Sequence, residues 1–445
     1  MTTSASTLNH ESSSRDEHGT FKALLVVAGG VVAALQVWKL SPALGTLSEQ
    51  LNMSLGQAGV LVAVIQVAGM VLGMIVGLFN DSIGLRRGCL WGFGFLAVGS
   101  VLGAMARGPG LLLASRVLEG VGFLVVCVAS PALIRRLVPP RRLAPIVGLW
   151  GCFFPVAAAI SQLTGGFLVD TIGWRAWWLG AAALAVAVGV AMAAVIPPDA
   201  STAPRRGNDG GPRAASSSVA ATSTTDTLPP AARSVGVRAK ATLSTGPLWA
   251  AALVMGCYTA QWNGVIQFLP TIYAEAGIAA GAAGALSAGA AACNALGNLS
   301  ARQALGRGVK PVTLWTIGFV TMAVCAVIAF GIAPLIAEEW RFGLRYGAVI
   351  GFSAVGGLIP STAISQQMAL APAPDTVSTS LGLGQQFNAL GQFAGPVAVA
   401  FLVQNAGGWH ATWWVTVSFA VVGLLASWWL GFAHRTGPTL SSGRG

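Results

Sequence analysis

Gly77-Leu78-Phe79-Asn80-Asp81-Ser82-Ile83-Gly84-Leu85-Arg86-Arg87-Gly88 is a short polar hinge between two long apolar runs. A connection this tight requires the two runs to be helices in a bilayer, side by side and antiparallel. Gly84 and Gly88 permit backbone turns that a residue with a Cβ resists. Arg86 and Arg87, in so short a break, mark a cytoplasmic face. A short positive loop of any polytopic protein has the same character, so the fold is decided by the runs around it.

Of the 445 residues, 54% are hydrophobic and 9% charged, with a mean hydropathy of +0.71, whereas a soluble domain carries roughly 25% charged residues. The chain is an integral membrane protein, and spans of about 20 apolar residues suit a hydrocarbon core near 30 Å. The formal charge of +11 does not point to nucleic acid, because the basic residues sit in short loops beside spans, where they set orientation. The first twenty residues are polar and lack a signal-peptide pattern, so the first span serves as the insertion signal. Cys89, Cys127, Cys152, Cys257, Cys293 and Cys325 lie in or beside apolar runs without metal-like spacing, which indicates neither a metal site nor disulfides. No cofactor is implied.

Taken in order, residues 1–21 form a cytoplasmic N-terminal tail and 22–196 an N-terminal half with spans near 22–46, 57–79, 89–106, 110–137, 144–169 and 175–196. Residues 197–245, rich in Pro, Ala, Ser, Thr and Gly and carrying six basic residues, read as a disordered cytoplasmic linker. A C-terminal half (246–433) has spans near 247–272, 279–301, 311–332, 342–369, 376–404 and 409–433, and 434–445 form a cytoplasmic tail. Most Lys and Arg follow spans 2, 4, 6 and 8, which places both termini in the cytoplasm.

The halves repeat. Gly148-Leu149, Phe153 and Phe167-Leu168-Val169 align at constant offset with Gly382-Leu383, Phe387 and Phe401-Leu402-Val403, while Arg116, Gly122, Phe123 and Pro131 align without a gap on Arg345, Gly351, Phe352 and Pro360. Fixed offsets among residues as infrequent as Arg and Pro argue against chance likeness of apolar helices. The expected fold is an all-α membrane protein of twelve transmembrane helices in two six-helix pseudo-repeats.

The spacing Gly77, Asp81, Gly84, Arg86 resembles the Gly-x-x-x-Asp-x-x-Gly-x-Arg/Lys signature between helices 2 and 3 of the major facilitator superfamily (MFS), though Ser82 and Leu85 stand where that family has basic residues. Two parallel six-helix repeats are likewise its arrangement, which implies a substrate site near mid-membrane and alternating access by rocking of the halves. By the same resemblance these four residues form a conformational loop in which Asp81 accepts hydrogen bonds at a helix N-terminus. Lys39 with Pro42-Ala43-Leu44, Pro131 to Arg136, and Gly148-Leu149-Trp150 are similar to the cyanate permease-like group, in which an Arg often directly precedes the span 1 proline. The resemblance implies a monomer in a bacterial inner membrane.

Ionisable residues inside spans are costly and therefore functional candidates. Lys39 shares a helix face with Gln36, and two readings stand: it lines a wet cavity, or it snorkels outward toward Glu49. Arg116 and Glu119 lie three apart on one face, either as a structural ion pair or as a proton-coupling pair. Arg345 has no local acid; it is an anion contact or an anchor paired with Glu338 or Glu339. Span 7 supplies Gln261, Asn263 and Gln267. The resemblance places spans 1, 4, 7 and 10 around the central cavity, and the deep charges sum to plus two, an imbalance a bound anion would offset. The leading expectation is proton-coupled transport of a small or medium organic anion, with Glu119 carrying the proton and Lys39 and Arg345 contacting substrate. A proton-driven exporter of apolar drugs is the alternative, and a receptor on the same fold a third reading. Without a P-loop or clustered His, Cys or paired acids, ATP-driven transport and catalysis lack residues to carry them.

Overall fold

A computed structural model describes residues 3–199, 235–373 and 376–436, giving only the course of the backbone at 3–16, 77–83, 433–436 and five single positions. Twelve long helical segments follow one another: α1 (Glu17–Gln50), α2 (55–83), α3 (Leu85–Ala104), α4 (Pro109–Leu137), α5 (153–172), α6 (174–195), α7 (246–275), α8 (Ala280–Gly306), α9 (Pro311–Leu335), α10 (Glu338–Ala369), α11 (Val377–Ala406) and α12 (Trp409–Phe432). Among the described residues, nine helices are long and apolar enough to cross a membrane, with Phe153–Val195 counted once. That helix turns at Gly173, whose φ of 79° is open to glycine and strained for other residues, and so becomes α5 and α6. The other two, α7 and α8, are less apolar because they carry Gln261, Asn263, Asn294 and Asn298, all turned into the protein.

Two expectations change. The helix leading into α1 begins at Thr3, inside the stretch read as a tail. The linker is structured at both ends, since Val235–Leu243 is helical and Asp199 is docked on the backbone of Arg86 and the guanidinium of Arg136. Residues 200–234 and 437–445 lie outside the described residues.

The halves meet along α2 with α11 and along α5 with α8. The second seam depends on missing side chains: a Cβ on Gly166 would stand 2.9 Å from the Gly284 Cα. Small residues let helices approach closely in lipid, where packing rather than the hydrophobic effect drives association.

Candidate functional site

The α-helical ladder of α1 stops at Trp38, and a 3₁₀ turn begins at Ser41 with Pro42 next. Carbonyls at such a stop need outside donors. Arg116 of α4 supplies them: Nη1 donates to the Gln36 carbonyl at 2.5 Å and Nη2 to the Val37 carbonyl at 3.1 Å. Nη1 also donates to Glu119 Oε2 at 2.7 Å, while Glu119 Oε1 accepts from Lys39 Nζ at 2.5 Å and lies 2.9 Å from Ser100 Oγ. Lys39 Nζ reaches Gln36 Oε1 at 2.8 Å and Ser100 Oγ at 2.7 Å, and stands 5.0 Å from the Trp178 ring centroid. Lys39 is 1% exposed, and Gln36, Ser100, Arg116 and Glu119 are 0%. The structure thus brings Gln36, Lys39, Arg116 and Glu119 into one sealed cluster. This corrects both readings of Lys39, which neither snorkels nor stands open to a cavity, because an acid from α4 meets it across the bundle.

Arg345 stays apart. It is half-buried, and its Nε donates at 3.3 Å to the carbonyl of Ala329, in the π-helical stretch Val327–Ile332, where the residue five positions on is Pro334 and has no N–H to give. Among the described residues it has no ion pair with Glu338 or Glu339, so that anchoring partner is corrected too.

Between the halves lies a cavity of about 160 Å³ walled by Phe123, Trp150, Phe153, Phe154, Tyr258 and Trp262, with Asn263, Asn294, Asn298, Gln385, Asn388 and Gln392 among its polar groups. No lining residue is charged. Of the six residues expected to touch substrate, only Asn263 lines this space. Gln36 and Lys39 are spent on the cluster. Gln261 turns its amide back to the Cys257 carbonyl, and Gln267 sits beyond the wall. The carboxamides form linked chains: Tyr258 donates to Asn294, which donates to the Ser353 carbonyl, and Gln66 donates to Gln392, which donates to Asn388. Asn294 and Asn298 escaped the sequence reading, although two amides four apart in a Gly/Ala-rich helix were a visible signal.

The cavity occupies the part of each helix nearest the basic turns. Toward the opposite side the halves are joined: Ser41 Oγ donates to the Gln267 carbonyl at 2.6 Å, and Gln162 Nε2 to the Ile266 carbonyl at 3.0 Å. These carbonyls belong to the break in α7 before Pro270, so the α1 break is capped within its own half and the α7 break by the other half. Trp38 packs edge-on against Phe154 and Trp262 at 5.5 and 5.3 Å, between the cluster and the cavity.

At the hinge, Gly84 has φ 88°, as its place in a tight turn demands. The surroundings of Gly77 and the side chain of Asp81 lie outside what the structure describes. The α3 N-terminus beside Arg86 holds Asp199, which accepts from the backbone N–H of Arg86 at 3.2 Å and of Arg87 at 3.0 Å, and from Arg136 Nη1 at 2.8 Å. Burial alone would raise the Asp199 carboxyl, but the N–H groups of Arg87 and Arg86 and the Arg136 guanidinium outweigh it and hold the carboxyl below its ordinary range.

Residues 26–396 match the family described as Major Facilitator Superfamily. The chain is 32% identical over 171 residues, 38% of its length and 25% of the relative's, to the Uncharacterized MFS-type transporter Rv1877 of Mycobacterium tuberculosis. It is 32% identical over 119 residues, 25% of its length and 23% of the relative's, to the Drug efflux pump JefA of the same species. These matches therefore span a quarter or less of the relatives' own length. The solved structure of a bacterial homolog to the human lysosomal transporter Spinster, inward-facing and unoccupied, superposes with a TM-score of 0.70 at 15% identity, covering 94% of this chain and 97% of that one.

Proposed function

The chain belongs to the Major Facilitator Superfamily, and from that premise we propose that it is a proton-coupled secondary transporter of an uncharged or apolar aromatic compound, bound in the cavity between its halves. One observation carries this reading: the cavity wall is aromatic and carboxamide, with no charged side chain. The excess of buried cations that suggested an organic anion is turned elsewhere, Lys39 and Arg116 onto Glu119 and Arg345 onto a backbone carbonyl. Aromatic faces with a few hydrogen-bonding groups suit ring compounds. The drug efflux pump among the relatives supports outward movement. Such a substrate needs no counter-ion, so the drive falls to the cluster of Lys39, Glu119 and Arg116, charged side chains buried beside the cavity.

On this reading both termini lie in the cytoplasm and the protein in a bacterial inner membrane, with the basic turns as support for the orientation, and the cavity then opens inward in this conformation. A single chain supplies both halves and works as a monomer. The likeness to the cyanate permease-like group is tested by the same measurement. Purified protein is titrated by tryptophan fluorescence against Nile red, ethidium, small carboxylates, nitrate and cyanate. Nile red saturates at micromolar concentration, and Asn294→Leu weakens it at least about tenfold, the equivalent of ~1.4 kcal/mol. Saturable binding of carboxylate or cyanate that excludes the dyes returns the anion reading.

A further inference from the structure

Of the titratable groups in the buried cluster, Glu119 is the one that the sequence singles out as proton carrier. Its surroundings point elsewhere. Oε2 faces Arg116 Nη1, and Oε1 faces Lys39 Nζ and Ser100 Oγ. While Lys39 is an ammonium, a proton added to Oε2 would point at a donor, and the cluster would hold two cations with no anion. With all three groups ionised the cluster already carries one uncompensated positive charge, sealed from solvent. Arg116 does not give up its proton. Neutrality is reached by one step only, loss of a proton from Lys39.

We propose that the proton moved in each transport cycle is carried on Lys39 Nζ, with Ser100 Oγ as the rotor that satisfies the amine in both charge states; this rests on the proton-coupled reading above. As an ammonium, Nζ donates its three hydrogens to Gln36 Oε1, Glu119 Oε1 and Ser100 Oγ, and the Ser100 hydrogen turns to Gln36 Oε1 or Glu119 Oε1, each 2.9 Å away. As an amine, Nζ donates to Gln36 and Glu119 and its lone pair accepts the Ser100 hydrogen across the same 2.7 Å. No polar atom in this exchange is orphaned in either state, so the proton comes and goes without breaking the cluster. Loading transfers a proton from water to the Nζ lone pair, and unloading returns it to water on the other side.

Every element packed around Nζ is accounted for: Gln36 from α1, Ser100 from α3, Glu119 and Arg116 from α4 and the Trp178 face from α6, which favours the cationic form. Coupling to substrate runs through the adjacent residue. Trp38 separates this cluster from the cavity by packing on Phe154 and Trp262, both of which line it. A ligand that displaces those rings loosens the turn of α1 that holds Lys39.

The chain has only four lysines, Lys22, Lys39, Lys240 and Lys310, so ε-carbon-labelled lysine in the full protein in lipid nanodiscs gives a readable spectrum without any ligand. The expected result is one resonance with the shift of a neutral amine at about pH 9 that converts to the ammonium shift on acidification to about pH 6, absent in Lys39→Arg, while the other three remain ammonium. Ser100→Ala removes the acceptor of the ammonium, a charge-assisted bond, together with the weaker donor to the amine, so Lys39 gives up its proton at a pH about one unit lower. An ammonium signal for Lys39 from about pH 6 to about pH 9, in wild type and Ser100→Ala alike, overturns the proposal, and neither spectrum depends on Lys39→Arg folding. In proteoliposomes, Lys39→Arg, with its charge permanent, abolishes accumulation of Nile red down a pH gradient and retains dye exchange. If the wild type shows no gradient-driven accumulation although Lys39 changes charge, the proposed function fails and Lys39's part in transport with it, and only the titration of Lys39 within the cluster stands.

Discussion

At the residue scale, Arg116 is the side chain on which most depends. Its guanidinium joins a carboxylate to two backbone carbonyls at a helix break, a task for a planar fork that an ammonium does not perform. Arg116→Lys keeps the charge beside Glu119 but leaves one or both carbonyls without a donor. The expected cost is about 1 to 3 kcal/mol, seen as a lower midpoint of thermal unfolding in detergent followed by tryptophan fluorescence. An unchanged midpoint would mean that the α1 break is held by packing alone. The ion pair with Glu119 was legible as Arg-x-x-Glu on one helix; the contacts to α1 were not, because their partners are backbone atoms 79 and 80 residues away.

At the scale of elements, the turn from α2 to α3 is a docking point for the end of α6. Asp199 combines two N–H groups of a helix N-terminus with a guanidinium, so its charge is favoured there. A carboxyl held below its ordinary value near 3.8 stabilises the fold at pH values above that figure, and the contribution fades as pH falls through the lower folded value. Asp199→Asn should therefore lower the unfolding midpoint at neutral pH, and the gap to wild type should narrow once the pH drops below about 3.8. A gap that stays constant down to that range would exclude the carboxylate charge as its source. Gly84 belongs to the same device: its φ of 88° is unfavourable for L residues, and a Cβ there would stand 2.6 Å from Asp199 Oδ2.

At the scale of the whole molecule, rocking of the halves has to break the bonds that join them opposite the cavity. Ser41 and Gln162 give their hydrogens to the carbonyls of Ile266 and Gln267, the atoms left free where α7 breaks. Ser41→Ala with Gln162→Leu removes both donors only from the closed state, since water serves those carbonyls once that side opens. The population open to that side should rise about thirtyfold for two hydrogen bonds near 1 kcal/mol each. A cysteine at the buried Ile272, in a background without the six native cysteines, reports this as faster reaction with an impermeant maleimide from that face. Equal labelling rates in the double variant and its parent would assign the closure to the aromatic contacts of Trp38 instead.

Sequence by itself determined that the chain crosses the membrane, that its helices fall into two related sets, where the tight hinge turns and which deep residues carry charge. Each of these follows from terms that add along the chain: transfer of consecutive side chains into hydrocarbon, the steric freedom of Gly84 at a turn, and the spacing of Arg116 and Glu119 on one helix. Tertiary structure alone decided what the charges do. Lys39 and Glu119 lie 80 residues apart and Ser41 and Gln267 lie 226 apart, and no local preference brings such groups together. Helix packing determined that Glu119 serves two cations, that Gln261 and Gln267 face away from the cavity, and that Asn294 and Asn298 line it, because a side chain's partner depends on the rotation and depth of a neighbouring helix.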